Sequence, residues 1–220
     1  MKKNLIIFGT GQMGEVAHYY FTHDSGYKVV AFAVSKDLID QDSLLDVPVI
    51  PFEDIEKTYP PTENDMFVAI GPSQLNKTRE KFYLLSKGLG YNLPSYICSK
   101  SVNWIEKGVG ENCFILENQT IQPFVKIGNN VVIWSGNHIG HHSSIGDHCF
   151  ITSHVVISGG VVIEPYCFLG VNATLRDHIT IKKNCIIGAG AMIMKDTIEN
   201  AVYVGETAKL FSEDSSKIRL

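Results

Sequence analysis

The stretch Ile133-Trp134-Ser135-Gly136-Asn137-His138-Ile139-Gly140-His141-His142-Ser143-Ser144-Ile145-Gly146 carries an isoleucine at every sixth residue. Followed outward in both directions, the series reads Val109, Ile115, Ile121, Ile127, Ile133, Ile139, Ile145, Ile151, Ile157, Ile163, Leu169, Leu175, Ile181, Ile187 and Ile193. It ends because the next position is Glu199. Glycine follows the aliphatic residue at Gly110, Gly128, Gly140, Gly146, Gly170 and Gly188. A period of six suits neither an α-helix nor a simple alternating strand, and it is the mark of a parallel β-helix. Each hexad makes one short side of a triangular coil, so fifteen hexads predict five coils of eighteen residues. The aliphatic ladder must point inward.

Four places after most ladder residues stands something small: Cys113, Val125, Val131, Asn137, Ser143, Cys149, Val155, Val161, Cys167, Ala173, Cys185 and Ala191. Cys149, Cys167 and Cys185 are eighteen apart, and Cys113 lies thirty-six before Cys149, which is one interior slot repeated on successive coils. Thiols in such a slot act as small hydrophobic groups rather than as nucleophiles or metal ligands. Five cysteines, an odd number mostly in one register, also speak against a disulfide framework.

The chain has 220 residues, enough for two modest domains, and a net charge of −4, which argues against a nucleic-acid binder. The opening MKKNLIIFG resembles a signal peptide superficially, but Gly9, Gly11 and Gly14 break the apolar run and no small-residue cleavage site follows. No run approaches the ~18 apolar residues of a membrane span. The expected location is the cytoplasm.

Before the hexads the pattern changes. Asn4–Phe8 reads as a buried strand, Gly9-Thr10-Gly11-Gln12-Met13-Gly14 as a glycine loop, Glu15–Phe21 as a helix and Lys28–Val34 as a second strand. A strand over Met66–Ile70 leads into Gly71-Pro72, an amphipathic helix covers Gln74–Lys87, and Asn92–Ile97 reads as a last strand. This is a small parallel α/β domain with its ligand face at the strand C-termini. The G-x-G-x-x-G loop lets backbone N–H groups approach a phosphate at a helix N-terminus. NAD fits poorly, because strand two ends in Phe32-Ala33-Val34-Ser35 and the nearest acid, Asp37, comes after Lys36. Two readings stay open: a loop for another nucleotide diphosphate, or a purely structural tight turn.

Six of the eight histidines fall between 138 and 178. His142, His148, His154 and His178 share one register position, three after the ladder residue, and His141 is two after Ile139. A three-histidine zinc site, as in β-helical carbonic anhydrases, would take His142 and His178 but needs a histidine where Lys183 stands. General-base chemistry is the other reading. His141 and Gly159 are eighteen apart, which sets an imidazole beside a glycine N–H on the neighbouring coil. The plain alternative is a solvated corner histidine.

Taken as a whole, the chain resembles the bacterial nucleotide-aminosugar N-acetyltransferases, kin of the sialic acid O-acetyltransferases. The resemblance runs from Ile6-Ile7-Phe8-Gly9-Thr10-Gly11 through Phe67-Val68-Ala69-Ile70-Gly71 and Ile139-Gly140-His141-His142-Ser143-Ser144-Ile145-Gly146-Asp147 to Val204-Gly205-Glu206-Thr207-Ala208-Lys209. It implies a Rossmann-like α/β domain over residues 1–98, a left-handed parallel β-helix over 99–197 and a C-terminal tail over 198–220. It implies acetyl-CoA as cosubstrate, no metal, and a homotrimer with acetyl-CoA lying between adjacent β-helices. His141 falls on the family's catalytic base, Gly159 on the glycine whose N–H meets the acetyl carbonyl, and Val171 and Ala189 on positions lining the pantetheine arm.

The nucleotide-linked amino sugar is expected at Gly9, Gly11, Met13, Ser35, Gly71, Pro72 and Trp134. Several of these depart from the family pattern. Met13 stands for a frequent histidine, Val34-Ser35 for an acidic pair, and Trp134 for a polar residue; Thr207 replaces a proline. His142 occupies a place that is usually acidic, which makes it a second catalytic candidate. Lys182, Lys183, Lys195 and Lys209 are candidates for the CoA phosphates. The resemblance implies direct transfer of acetyl to an amine. O-acetylation of a sugar or sialic acid hydroxyl, and a non-catalytic trimeric nucleotide-sugar sensor, are the alternatives.

Overall fold

The computed structural model describes residues 2–105, 108–210 and 216. The first part is built from β1 (Lys3–Phe8), α1 (Gln12–His23), β2 (Tyr27–Val34), β3 (Ser43–Leu44), β4 (Val47–Pro51), α2 (Ile55–Thr58), β5 (Asn64–Val68) and α3 (Lys77–Gly88). The strands form one sheet in the order β3-β4-β2-β1-β5, parallel except for the β3–β4 hairpin. β1, β2 and β5 are fully or largely buried along their second halves, as strands covered on both faces must be.

Three local readings of the sequence need correction. β5 begins at Asn64 rather than Met66, because its polar start is used: Asp65 is buried, pairs with Lys3 at 2.7 Å and accepts from the Tyr27 hydroxyl at 2.9 Å. α3 begins at Lys77 rather than Gln74, because Gln74, Leu75 and Asn76 all have left-handed backbone, with φ of 50°, 50° and 67°. The strand expected over Asn92–Ile97 as the last of the α/β sheet is short and belongs elsewhere. Pro94, which has no N–H, separates Asn92, whose carbonyl still accepts from Met66 N, from Tyr96–Ile97, which pairs with Phe114–Ile115.

From there the chain winds through three parallel sheets of two-residue strands. The first sheet contains Tyr96–Ile97, Phe114–Ile115, Val132–Ile133, Phe150–Ile151, Phe168–Leu169, Ile186–Ile187 and Val202–Tyr203. The second contains Val102–Asn103, Thr120–Ile121, His138–Ile139, Val156–Ile157, Thr174–Leu175 and Met192–Ile193. The third contains Lys126–Ile127, Ser144–Ile145, Val162–Ile163 and Thr180–Ile181. Ladder partners are eighteen residues apart, as in Ile133↔Ile151 and Ile139↔Ile157. Ladder residues from Ile115 to Ile193 are buried in one cluster with the small residues that follow them, while Val109 packs against it partly exposed.

All five cysteines are free and buried. The Sγ atoms of Cys113, Cys149, Cys167 and Cys185 lie 3.0–3.3 Å from the carbonyls of Gly128, Glu164, Lys182 and Ile198 in turn, so one interior slot is filled in one way. Burial pushes the Cys113 thiol up to about 11.

The outer face of the first sheet is covered by the α/β part. Phe114, Val132 and Phe150 are buried there with Phe21, Phe67 and Tyr96. At one end of that contact Tyr20 donates to Glu117 at 2.5 Å. At the other, the wholly buried Arg79 of α3 donates to the side chain and carbonyl of Asn130 at 3.1 and 2.9 Å. Of the tail expected over 198–220, Val202–Tyr203 adds a rung to the first sheet, and residues 211–215 and 217–220 lie outside the described residues. No helix among the described residues is long and apolar enough to cross a membrane.

Candidate active site

Each coil of the β-helix turns at three corners, and the backbone chemistry of those corners defines the site. The N–H one place after a ladder residue bonds to the next coil, as Gly140 N does to Ile157 O at 2.8 Å. The N–H three places after bonds to the previous coil, as Gly160 N does to His141 O, also at 2.8 Å. The N–H two places after is left over. At Glu111, Asn129, His141 and Lys183 a side chain from a neighbouring coil accepts it: Asn129, Asp147, Gln122 and Glu164 respectively, at 2.6–2.9 Å. At Gly159 no side chain among the described residues does so. The same holds at Ser135, Asp147, Ser153, Val171, Asp177 and Ala189, but only at Gly159 does the unused donor lie beside the exposed His141 ring.

The imidazole of His141 lies directly over Gly159. A β-carbon on Gly159 would sit 2.8 Å from Cε1, 2.9 Å from Nε2 and 3.2 Å from Nδ1 of that ring. Only glycine leaves the imidazole where it is. On the other side, His141 Nδ1 is 3.1 Å from His142 Nδ1, the rings meeting edge to face at 5.3 Å. His142 in turn packs on Phe124, with ring centroids 4.7 Å apart. Sequence reasoning found His141, His142 and Gly159, and the structure brings all three together. It missed Gln122 and Phe124, each reaching the site from the preceding coil; the spacing of eighteen or nineteen residues was the available signal.

The register shared by His142, His148, His154 and His178 has a backbone cause. All four have left-handed φ, between 54° and 60°, and Asn112, Asn118, Asn130, Asn172 and Asn184 at the same coil position have φ between 52° and 59°. Asn and His are among the residues that tolerate this conformation best. His148 is moreover buried at the α3 contact, stacked on Tyr166 at 5.1 Å. Among the described residues no group of three or more His, Cys, Asp or Glu could hold a metal ion.

The glycine loop closes as its spacing requires. Gly9 has φ +119°, and a β-carbon there would meet the Ala69 carbonyl at 2.6 Å. One on Gly14 would run into the Gly9 carbonyl. Gly11, the residue before α1, has open space around it. Gly71-Pro72 follows β5 and Ser35 follows β2, so with Gly9 and Gly11 they share the C-terminal edge of the sheet, where β1 sits between β2 and β5. Met13 and Trp134 both pack, half-buried, against the cluster joining this domain to the first sheet.

Val171 and Ala189 occupy the corner between the first and second sheets, stacked one coil apart, Val171 O accepting from Gly190 N at 2.8 Å. His141 and Gly159 lie at the corner between the second and third sheets, across the prism from the sheet that the α/β domain covers. The three groups of candidate residues are thus on three different edges of one chain. Of the candidate lysines, Lys182 pairs with Glu164 at 3.0 Å and the Lys183 ammonium lies over Tyr166 at 5.5 Å. Lys195 lies with Arg176 around an open cleft further along the His141 edge.

Residues 108–195 match the family model of the bacterial transferase hexapeptide, six repeats, in three stretches, 108–141, 124–159 and 160–195, the first two overlapping. The coils of the β-helix are similar to the hexapeptide repeats of that model. Nearly the whole chain shares its fold with the acetyltransferase domain of PglB from Neisseria gonorrhoeae, at 22% identity and TM-score 0.82, covering 94% of this chain and 98% of that one. PerB from Caulobacter crescentus, solved with CoA and GDP-perosamine, is similar at 24% identity and TM-score 0.83, covering 93% and 95%. WeeI from Acinetobacter baumannii is similar at 21% identity and TM-score 0.61, covering 92% and 97%. The fold is therefore a Rossmann-like α/β domain followed by a left-handed parallel β-helix. No curated protein matches the chain in sequence.

Proposed function

We propose that the protein transfers the acetyl group of acetyl-CoA to an amine on a nucleotide-linked amino-deoxysugar. The observation that carries this reading is the His141 imidazole lying over Gly159, whose N–H the coil does not use. The sugar amine attacks the thioester carbonyl, and His141 Nε2 takes the amine proton as the C–N bond forms. The Gly159 N–H donates to the oxyanion of the tetrahedral intermediate. Collapse breaks the C–S bond, and the proton held by His141 passes to the departing thiolate, leaving amide and free CoA. The buried cysteines offer no nucleophile for an acyl-enzyme.

Support for the substrate pair comes from PerB, whose structure holds CoA and GDP-perosamine. The nucleotide belongs at the open Gly11 turn, with Gly9, Met13, Ser35, Gly71, Pro72 and Trp134 along the same side. Because His141 faces away from its own α/β domain, the reading places the active site between copies. One chain's His141 and Gly159 work beside a neighbour's Val171, Ala189 and nucleotide site, in a homotrimer. The test is His141→Ala, which should lower kcat about 10²–10⁴-fold with little change in KM. Unchanged turnover removes His141 from the chemistry, and ligand binding without turnover in the unaltered protein favours a sensor.

A further inference from the structure

We propose that His142 is the positioning residue of this site, its Nδ1 accepting the Nδ1–H of His141 so that the Nε2 of His141 is bare and able to take a proton. The inference rests on the general-base reading of His141. Two imidazole nitrogens 3.1 Å apart can bond only when one of them carries hydrogen and the other does not. If His141 acts through Nε2, its hydrogen is on Nδ1, and His142 must present a bare Nδ1 with its own hydrogen on Nε2. The hydrogen bond made by one ring nitrogen thereby sets the state of the other.

The surroundings of His142 are built for this task. Its backbone is left-handed, φ +59°, and its N–H is held by the Pro123 carbonyl at 3.3 Å. Phe124, one coil earlier at the same register, backs the ring at 4.7 Å. Phe124 has φ +68°, a conformation that bulky residues rarely adopt, while most other coil turns use Asn, His or Gly. Phe124 is 70% exposed, so core packing does not explain it; its contact with the His142 ring, at an interplanar angle of 39°, does. The one other Phe, Tyr or Trp at such a turn among the described residues, Tyr166, also meets a histidine one coil away, stacking on His148.

A neutral acceptor has a consequence for pH. Once the pair binds one proton, either His141 Nε2 is occupied or the shared hydrogen has shifted and the tautomer is lost, and a second proton sets two N–H groups against each other. The active form therefore needs both rings neutral. Other titratable groups at this corner are Lys126 on the preceding coil, and Arg176, Asp177 and His178 on the coil beyond Gly159. Asp177 pairs with Arg176 at 3.6 Å and with His178 at 4.0 Å. None of the four is hydrogen-bonded to either ring of the pair.

The experiment is ¹⁵N NMR of the imidazole rings in the intact protein, alongside kcat/KM. His142→Gly removes the acceptor without straining the left-handed turn, and His142→Asn offers a carbonyl acceptor that does not titrate. In the unaltered protein and in His142→Asn, His141 should carry its hydrogen on Nδ1. In His142→Gly it should move to Nε2, with kcat/KM down about tenfold and largely restored by Asn. An Nδ1-protonated His141 in His142→Gly, or an Nε2-protonated one in the unaltered protein, overturns the proposal. The tautomer is read without turnover, so a protein that shows it and transfers no acetyl group contradicts the proposed function and not the pairing.

Discussion

Replacing Gly159 by alanine isolates the geometry on which the mechanism depends. Gly159 does not have left-handed backbone, so alanine is allowed there conformationally. The new methyl group would lie 2.8 Å from Cε1 and 2.9 Å from Nε2 of His141, against a contact distance of about 3.5–4.0 Å between carbons. The ring must retreat by about 1 Å. It is exposed and free to do so, so the cost in stability should stay below about 1 kcal/mol, the range of surface substitutions that create no buried fault. The Gly159 N–H is retained. What is lost is the placement of the base, and a misplacement of about 1 Å costs about 10²-fold in rate. Free thiol released from acetyl-CoA measures kcat, and thermal unfolding measures the fold. The reasoning is refuted if the alanine variant turns over at the wild-type rate, or if it loses activity only because it unfolds.

Gly11→Ala and Gly14→Ala should behave oppositely, since a β-carbon at Gly11 meets nothing within 4 Å and one at Gly14 meets the Gly9 carbonyl. The first should leave the melting temperature unchanged and raise KM for the nucleotide sugar; the second should destabilise the α/β domain in thermal unfolding. Burial pushes the His148 imidazole below its ordinary value of 6.5, outweighing the Glu80 and Asp147 carboxylates that pull it up. The unfolded chain then takes the proton first, so stability should fall as pH drops below about 6.5, His18 adding to the effect in the same direction. Denaturant unfolding of His148→Asn should show a flatter slope in that window; an unchanged slope would clear His148. Iodoacetamide at pH 8 should label none of the five thiols in the native protein and all of them after denaturation, with acetyl transfer unaffected in the native sample.

The β-helix was legible because each coil restates the same inward ladder, and Ile115 through Ile193 need no other information. Its two ends were less clear for particular reasons. The first rungs, Tyr96–Ile97 and Val102–Asn103, keep the period, but Asn103 is not aliphatic. The last, Val202–Tyr203, comes two residues early, so the period points to the wrong place. The β3–β4 hairpin gave no signal because Leu45 and Asp46 take φ of 51° and 61° at a turn where Asn-Gly is the usual mark. At the site, a spacing of eighteen was enough to put His141 beside Gly159. The contacts of Gln122 and Phe124 depend on side-chain direction, and the histidine register on a left-handed turn. The spacing puts these residues at the corner, but it gives neither the direction of a side chain nor the sign of φ.

The most direct measurement is thiol release from acetyl-CoA against a panel of UDP-, dTDP- and GDP-linked amino sugars. Free CoA should appear with one amino sugar and not with its N-acetylated form, which would establish the acceptor amine and name the nucleotide together. Silence across the whole panel from folded, trimeric protein would contradict the account.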